Sequence, residues 1–142
     1  MFDSRTNELK GSEWTGEAEL WLDPKGNEVD VSKCTLAIEP GVLTYTWVYD
    51  GETKTGSFTF AQDGATWIDS WHQPDPAYCK YLSETWNLFA VEHSYPVPSG
   101  PNWGWRSQLS QRPDGSLVLQ MTNITPWGEE GRAVRMIFQR TN

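Results

Sequence analysis

The chain has few cysteines and few histidines. Its 142 residues include two cysteines and two histidines, and 11 basic residues stand against 19 acidic ones. The formal net charge is −8, so the chain repels phosphate backbones and we expect no nucleic-acid partner. No apolar run approaches the roughly 20 residues that span a bilayer, so we also expect no membrane partner.

Familiar catalytic and metal-binding motifs are missing as well. Cys34 and Cys79 form no Cys-x-x-Cys pair, and His72 and His93 match no metal-ligand spacing. The sequence contains no glycine-rich phosphate loop, dinucleotide fingerprint or nucleophile elbow. The missing ligand spacing leads us to expect no metal. The chain does not begin with a basic segment that leads into an apolar run, so we expect a cytoplasmic protein with reduced thiols.

What the sequence does have is nine tryptophans and regularly spaced turn signals. Turn signals such as Pro40-Gly41 and Asp63-Gly64 recur about every 8–12 residues, which is typical of an all-β sandwich or barrel. Apolar and polar residues alternate between the turns, as in 43–47. The turns bound ten predicted strands, at about residues 13–22, 31–39, 42–50, 53–61, 65–72, 77–83, 86–95, 103–112, 116–125 and 132–140.

These patterns predict an all-β fold, a single antiparallel up-and-down β-barrel of about ten strands without a helical lid. One apolar and one polar face suit an antiparallel sheet, and closure removes the exposed edges. We expect residues 1–12 to form an N-terminal segment that closes the barrel base, and residues 13–142 to form the barrel. The longer turns fall at one end of such a barrel, which we take as its mouth because functional residues concentrate on longer loops.

The segment 67–72 is the most informative stretch of the chain. Strand residues two apart share a face, so a strand over 65–72 places Trp67, Asp69 and Trp71 on one side. A carboxyl group then lies between two indoles, and an apolar wall with one polar group is the usual make-up of a small-molecule pocket. A shift of one residue would turn Ser70 and His72 inward instead, and the sequence leaves that choice open.

Several motifs resemble a known group of barrels. The segment 14–16 opens the first strand with Trp-Thr-Gly and Arg140 ends the last one, as in the calycins, the group of lipocalins and fatty-acid-binding proteins. The segments 67–72, 94–96 and 100–106 resemble more closely a bacterial family of small calycin-like domains of unknown function. This resemblance covers about residues 13–140 and implies the barrel fold without an established activity.

The leading hypothesis is non-catalytic binding of a small, largely apolar or aromatic ligand that is neutral or cationic. The predicted walls of the pocket are large side chains from several strands, with two polar groups among them. They are Tyr45, Trp47, Phe58, Phe60, Trp67, Trp71, Trp105 and Met121, with Asp69 and Asn123 as the polar groups.

Three alternatives stay open at this point. The first is an enzyme in which Asp69 acts as general acid or base with His72 or Tyr95. The second is a packed structural or dimerisation barrel without a ligand. Whichever alternative holds, we expect the chain to be a monomer or a homodimer. The third is a haem-binding barrel with a histidine as iron ligand. Apart from haem, the sequence predicts no cofactor, and it names neither the ligand nor the pathway.

Overall fold

The computed structural model describes residues 7–23, 26–82 and 86–142, and in these ranges it consists of strands and the turns between them. Ten strands are defined within the described residues. They are β1 (Ser12–Trp21), β2 (Val29–Glu39), β3 (Val42–Tyr49), β4 (Glu52–Phe60), β5 (Gly64–Asp69), β6 (Gln73–Tyr81), β7 (Phe89–Tyr95), β8 (Trp103–Gln111), β9 (Leu117–Ile124) and β10 (Glu130–Arg140).

The ten strands form one closed antiparallel barrel. Each strand pairs with its neighbours in the chain, and β10 pairs with β1 to complete the ring. The predicted up-and-down barrel is therefore confirmed. No helix in the described ranges has the length and apolarity needed to cross a bilayer.

The alternation of residue types produces the core. In β3, Leu43, Tyr45 and Trp47 are buried, whereas Thr44 between them is exposed. The fully buried side chains of the interior include the aliphatic residues Leu36, Ile38, Leu43, Leu109, Leu117 and Leu119. Aromatic residues lie among them along the barrel, with Phe58 and Phe138 toward the base and Trp47, Trp67 and Trp105 toward the mouth.

At the base, Leu9 is buried and belongs to the core cluster. The backbone N–H of Gly11 donates to Ile38 O at 2.7 Å, and the indole N–H of Trp14 donates to Ser12 Oγ at 2.8 Å. Residues 7–11 thus lie against the barrel. The expectation that residues 1–12 close the base remains a prediction, and residues 1–6 lie outside the described part of the chain.

The structure differs from the expected strands around residues 70–76. β5 ends at Asp69, and Ser70, Trp71 and His72 form the turn that leads to β6. The turn arises because the Asp69 carboxylate accepts the backbone N–H groups of Trp71 and His72, which bends the chain. The segment 73–76, expected to be a turn, instead begins β6.

β6 is only partly integrated into the barrel wall. The ladder between β6 and β7 consists of two pairs within the described residues, Lys80 with Glu92 and Tyr81 with Val91. Pro74 and Pro76 lack a backbone N–H and so remove two donors from the first half of β6. The wall therefore contains a gap between residues 73–79 and 93–95, toward the mouth.

Candidate functional site

Asp69 lies at the centre of a hydrogen-bond network inside the barrel. Its side chain is buried, and its Oδ2 accepts the hydroxyl of Tyr45 at 2.6 Å. The Tyr45 oxygen in turn accepts the indole N–H of Trp67 at 2.9 Å. The other oxygen, Oδ1, accepts the backbone N–H groups of Trp71 at 2.9 Å and His72 at 2.8 Å. Both carboxylate oxygens are therefore engaged.

A glycine makes this network possible. Tyr45, Gly56 and Asp69 are lateral neighbours on β3, β4 and β5. A Cβ on Gly56 would lie 2.1 Å from Tyr45 Cζ and 2.2 Å from the hydroxyl oxygen. The phenol ring therefore crosses the middle strand over the bare backbone of Gly56 and reaches the carboxylate beyond it.

The electrostatics of the pair follow from burial and hydrogen bonding. Burial alone would raise the pKa of Asp69, but the nearby His72 and the hydrogen bonds from Tyr45 and the turn backbone lower it below its usual value. Burial, and then the charge of Asp69, raises the pKa of Tyr45 well above its ordinary value. At neutral pH the network is thus an ionised carboxylate that accepts a hydrogen bond from a neutral phenol.

The turn after Asp69 brings His72 back over the aromatic cluster. His72 Nδ1 lies 3.4 Å from Asp69 Oδ1, near enough for an ion pair but outside good hydrogen-bond geometry. Its ring lies 5.4 Å from that of Trp47 and 5.2 Å from that of Trp105, measured between centroids. Trp71 lies at the rim and is 40% exposed.

A cavity of about 120 Å³ lies at the gap between β6 and β7. We call it the niche, and its lining comes from β5, the following turn, β6, β7 and β8. The lining residues are Trp67, His72, Gln73, His93, Tyr95 and Trp105. The Trp67 and Trp105 rings are stacked with centroids 5.4 Å apart, and His93 lies 5.6 Å from Trp67.

The niche is surrounded by buried polar atoms that have no hydrogen-bond partner. Three of them, His72 Nδ1, His93 Nε2 and Trp105 Nε1, belong to residues that line the niche, and the fourth is Trp47 Nε1 beside His72. A buried polar atom without a partner costs about 1–3 kcal/mol. His72 Nδ1 faces Asp69 Oδ1 at 3.4 Å, and the other three are atoms whose hydrogen bonds an ordered water or a ligand would complete.

Cys79 contacts His93 at the edge of the niche. Burial raises the pKa of the Cys79 thiol to about 12, so the sulfur keeps its proton. Its Sγ lies 3.5 Å from His93 Nδ1 and 3.7 Å from Ala77 O. Burial also lowers the pKa of His93, which favours the neutral ring. The tautomer of the His93 ring decides whether Sγ donates to Nδ1 or accepts from it, and likewise whether the unpartnered Nε2 is a donor or an acceptor.

The structure distributes the predicted pocket residues over four environments. Trp67 and Trp105 line the niche, and Tyr45 and Asp69 belong to the hydrogen-bond network. Asn123 lies nearer the rim, where its Oδ1 accepts the Tyr95 hydroxyl. The remaining predicted walls are core or rim side chains: Trp47, Phe58 and Met121 are fully buried, Phe60 packs on the core, and Trp71 is at the rim.

The groups weighed for catalysis are only partly together. Asp69 and His72 are neighbours, whereas Tyr95 donates to Asn123. The Asp69 oxygens are enclosed by protein donors, and the protonated Cys79 thiol is a poor nucleophile. No three His, Cys, Asp or Glu side chains group closely enough to hold a metal ion in the part of the chain that the structure describes.

Sequence reasoning missed three contributors to the site. Gln73 and Cys79 were not singled out, and Gly56 carried no signal apart from its place opposite Tyr45. Pro74 and Pro76 were visible, but they were assigned to a turn and not to a weakly paired strand. A strand assignment for them would have predicted the gap, since proline in a sheet is confined to edges and irregularities.

Comparison with known protein families found no family model that matches this chain, and comparison with curated proteins found no matching sequence.

Proposed function

We propose that this barrel binds a small, neutral, planar molecule in the niche. The observation that carries the proposal is the pair of buried atoms His93 Nε2 and Trp105 Nε1, which have no protein partner beside a cavity of about 120 Å³. A ligand with matching polar atoms would supply the missing hydrogen bonds, so the cost of those atoms would be recovered on binding.

The size of the niche limits the ligand. An apolar cavity of about 150 Å³ in another protein holds benzene. A cavity of about 120 Å³ therefore suits one ring or a smaller molecule. Haem, which the sequence left open, is a macrocycle far larger than one ring, so the volume favours the smaller ligand.

The polarity of the niche selects for an acceptor on the ligand. The indole N–H of Trp105 is a donor, and His93 Nε2 is a second donor in the tautomer whose Nδ1 accepts the Cys79 thiol. The stacked Trp67 and Trp105 rings provide a flat apolar wall. A neutral ring that carries a carbonyl oxygen meets both requirements. The up-and-down topology supports the calycin-like resemblance at the level of fold, and calycin barrels enclose small ligands.

The test is a titration with single-ring compounds of similar size and different polarity. We expect benzamide and 2-pyridone to shift the Trp105 indole signal in a proton–nitrogen NMR spectrum, and toluene to bind at least about tenfold more weakly because it leaves the donors unpaired. Trp105→Phe, which removes the N–H and keeps a ring, should reduce that preference.

Trp14→Phe is the matched control, because Trp14 lies at the base and its N–H already has Ser12 as a partner. This variant should keep the preference for the carbonyl compounds. Equal binding of toluene and benzamide, or a saturated niche that leaves the Trp105 signal unmoved, would contradict the proposal.

A further inference from the structure

A second cavity, separate from the niche, opens at the mouth of the barrel. It has a volume of about 400 Å³, within the range of ligand pockets, and we call it the rim cleft. It lies between the mouth ends of β1, β8, β9 and β10, and the side chains that matter for the argument are Trp21, Trp103, Asn123, Glu129 and Arg132.

Arg132 is a positioned cation without an ion pair. Its guanidinium lies 4.5 Å from the centroid of the Trp21 ring, and its Nη2 donates to Gly26 O at 3.2 Å. No carboxylate among the described residues pairs with it. The remaining guanidinium N–H groups are available to a ligand, although the chain as a whole is strongly acidic.

Glu129 is the complementary anion in the same cleft. Its carboxylate accepts the hydroxyl of Thr125, and it too has no ion pair within the described residues. The other two carboxylates of the rim cleft are already engaged. Glu130 binds Arg106 through both oxygens, and Asp23 accepts the backbone N–H groups of Asn27 and Glu28.

Asn123 and the two indoles complete the surface. The Oδ1 atom of Asn123 accepts the Tyr95 hydroxyl, so its amide N–H groups are left for another partner. Trp21 and Trp103 add apolar area. The rim cleft thus combines one unpaired cation and one unpaired anion with an aromatic surface.

We infer that the rim cleft binds a zwitterion with an apolar or aromatic side chain, such as a free α-amino acid. Its carboxylate would contact Arg132, its ammonium group would contact Glu129, and its side chain would lie against the indoles. A ligand with a single charge would form only one of these two charged contacts, so it would bind more weakly.

The test compares L-phenylalanine with hydrocinnamate, which lacks the ammonium group, and with phenethylamine, which lacks the carboxylate. We expect calorimetry to show that each analogue binds about tenfold more weakly than phenylalanine. Arg132→Gln should remove the preference over phenethylamine, and Glu129→Gln should remove the preference over hydrocinnamate.

Arg135→Gln is the matched control. Arg135 also lies near Trp21, at 5.8 Å, but it pairs with Glu19 and does not line the rim cleft. It should leave the affinities unchanged, as should Trp105→Phe in the niche. Equal affinity for the three compounds, absence of phenylalanine binding, or an equal effect of Arg135→Gln and Arg132→Gln would overturn the inference.

Discussion

Two polar groups on the inner surface of the barrel, Asp69 and His93, have opposite surroundings. Asp69 accepts three hydrogen bonds from the protein, whereas His93 has one neighbour at Nδ1 and none at Nε2. Trp67 belongs to both regions, since its N–H serves the Asp69 network and its ring lines the niche.

The difference separates what holds the barrel from what the barrel offers to a ligand. A buried carboxylate is tolerated only when its hydrogen bonds are satisfied. The Tyr45 hydroxyl and the backbone of the turn donate to Asp69, and the Trp67 indole N–H donates to the Tyr45 oxygen. The niche lacks such internal completion. The polar groups that stabilise the fold form their hydrogen bonds within the protein, whereas those of the niche are left for a ligand or a water.

The largest expected effect comes from breaking the satisfied region. Tyr45→Phe deletes the hydroxyl that links Trp67 to Asp69, so a buried carboxylate and a buried indole N–H each lose a partner. We expect the free energy of unfolding to fall by roughly 2–4 kcal/mol, measured by urea denaturation.

Tyr81→Phe is the control at the base end, where the half-buried hydroxyl donates to Ala61 O at 2.7 Å. Its removal should cost about 1 kcal/mol, because no charge is involved and water can replace the partner. Equal losses in the two variants would show that the Asp69 network is not the stabilising element.

The sequence predicted the scaffold better than the site. Alternation in segments such as 42–49 and turn signals at Gly41 and Gly115 depend on local chemistry, and the ten strands followed from them. The rule of two-residue periodicity also placed Asp69 inside. The rule failed at Trp71 because it assumes a uniformly extended chain. The Asp69 carboxylate accepts the backbone N–H of Trp71 and so bends the chain into a turn.

Apart from the two prolines of β6, the sequence carried no signal for the niche, because the niche depends on strands and polar atoms that lack partners. Whether β6 and β7 form a full ladder depends on the geometry of the closed ring and on Pro74 and Pro76 together. The unpartnered state of Trp105 Nε1 is likewise a relation among strands far apart in the chain.

A smaller effect separates two tryptophans with opposite N–H environments. Trp105→Phe removes a buried N–H without a partner, so the lost packing is partly offset. Trp14→Phe removes an N–H that donates to Ser12 Oγ at 2.8 Å, so packing and a hydrogen bond are both lost. We expect Trp105→Phe to destabilise the protein by about 1–3 kcal/mol less than Trp14→Phe in thermal or urea unfolding.

The difference between the two variants would disappear if the Trp105 N–H were satisfied in solution by a tightly held water. That result would show that the polar groups of the niche are satisfied like those of the Asp69 network, and it would remove the contrast between the two. A bound water would also have to be displaced by any ligand that reaches this N–H.

The smallest effect is a pH dependence that belongs to the niche. Burial lowers the pKa of His93 in the folded protein below the 6.5 of a free side chain, so the unfolded chain binds more protons between the two values. Stability is then fully present above about pH 6.5 and falls as the pH falls through that window toward the folded pKa. The lowered pKa of Asp69 acts in the same direction but at lower pH, below about 4, where its carboxylate must be protonated.

His93→Phe keeps a ring in the niche and removes the titrating group, so its urea midpoint should change less than that of the unmodified protein between about pH 7 and pH 5. Identical slopes for the two proteins in that window would place His93 among solvated histidines and would remove the physical difference between the niche and the Asp69 network.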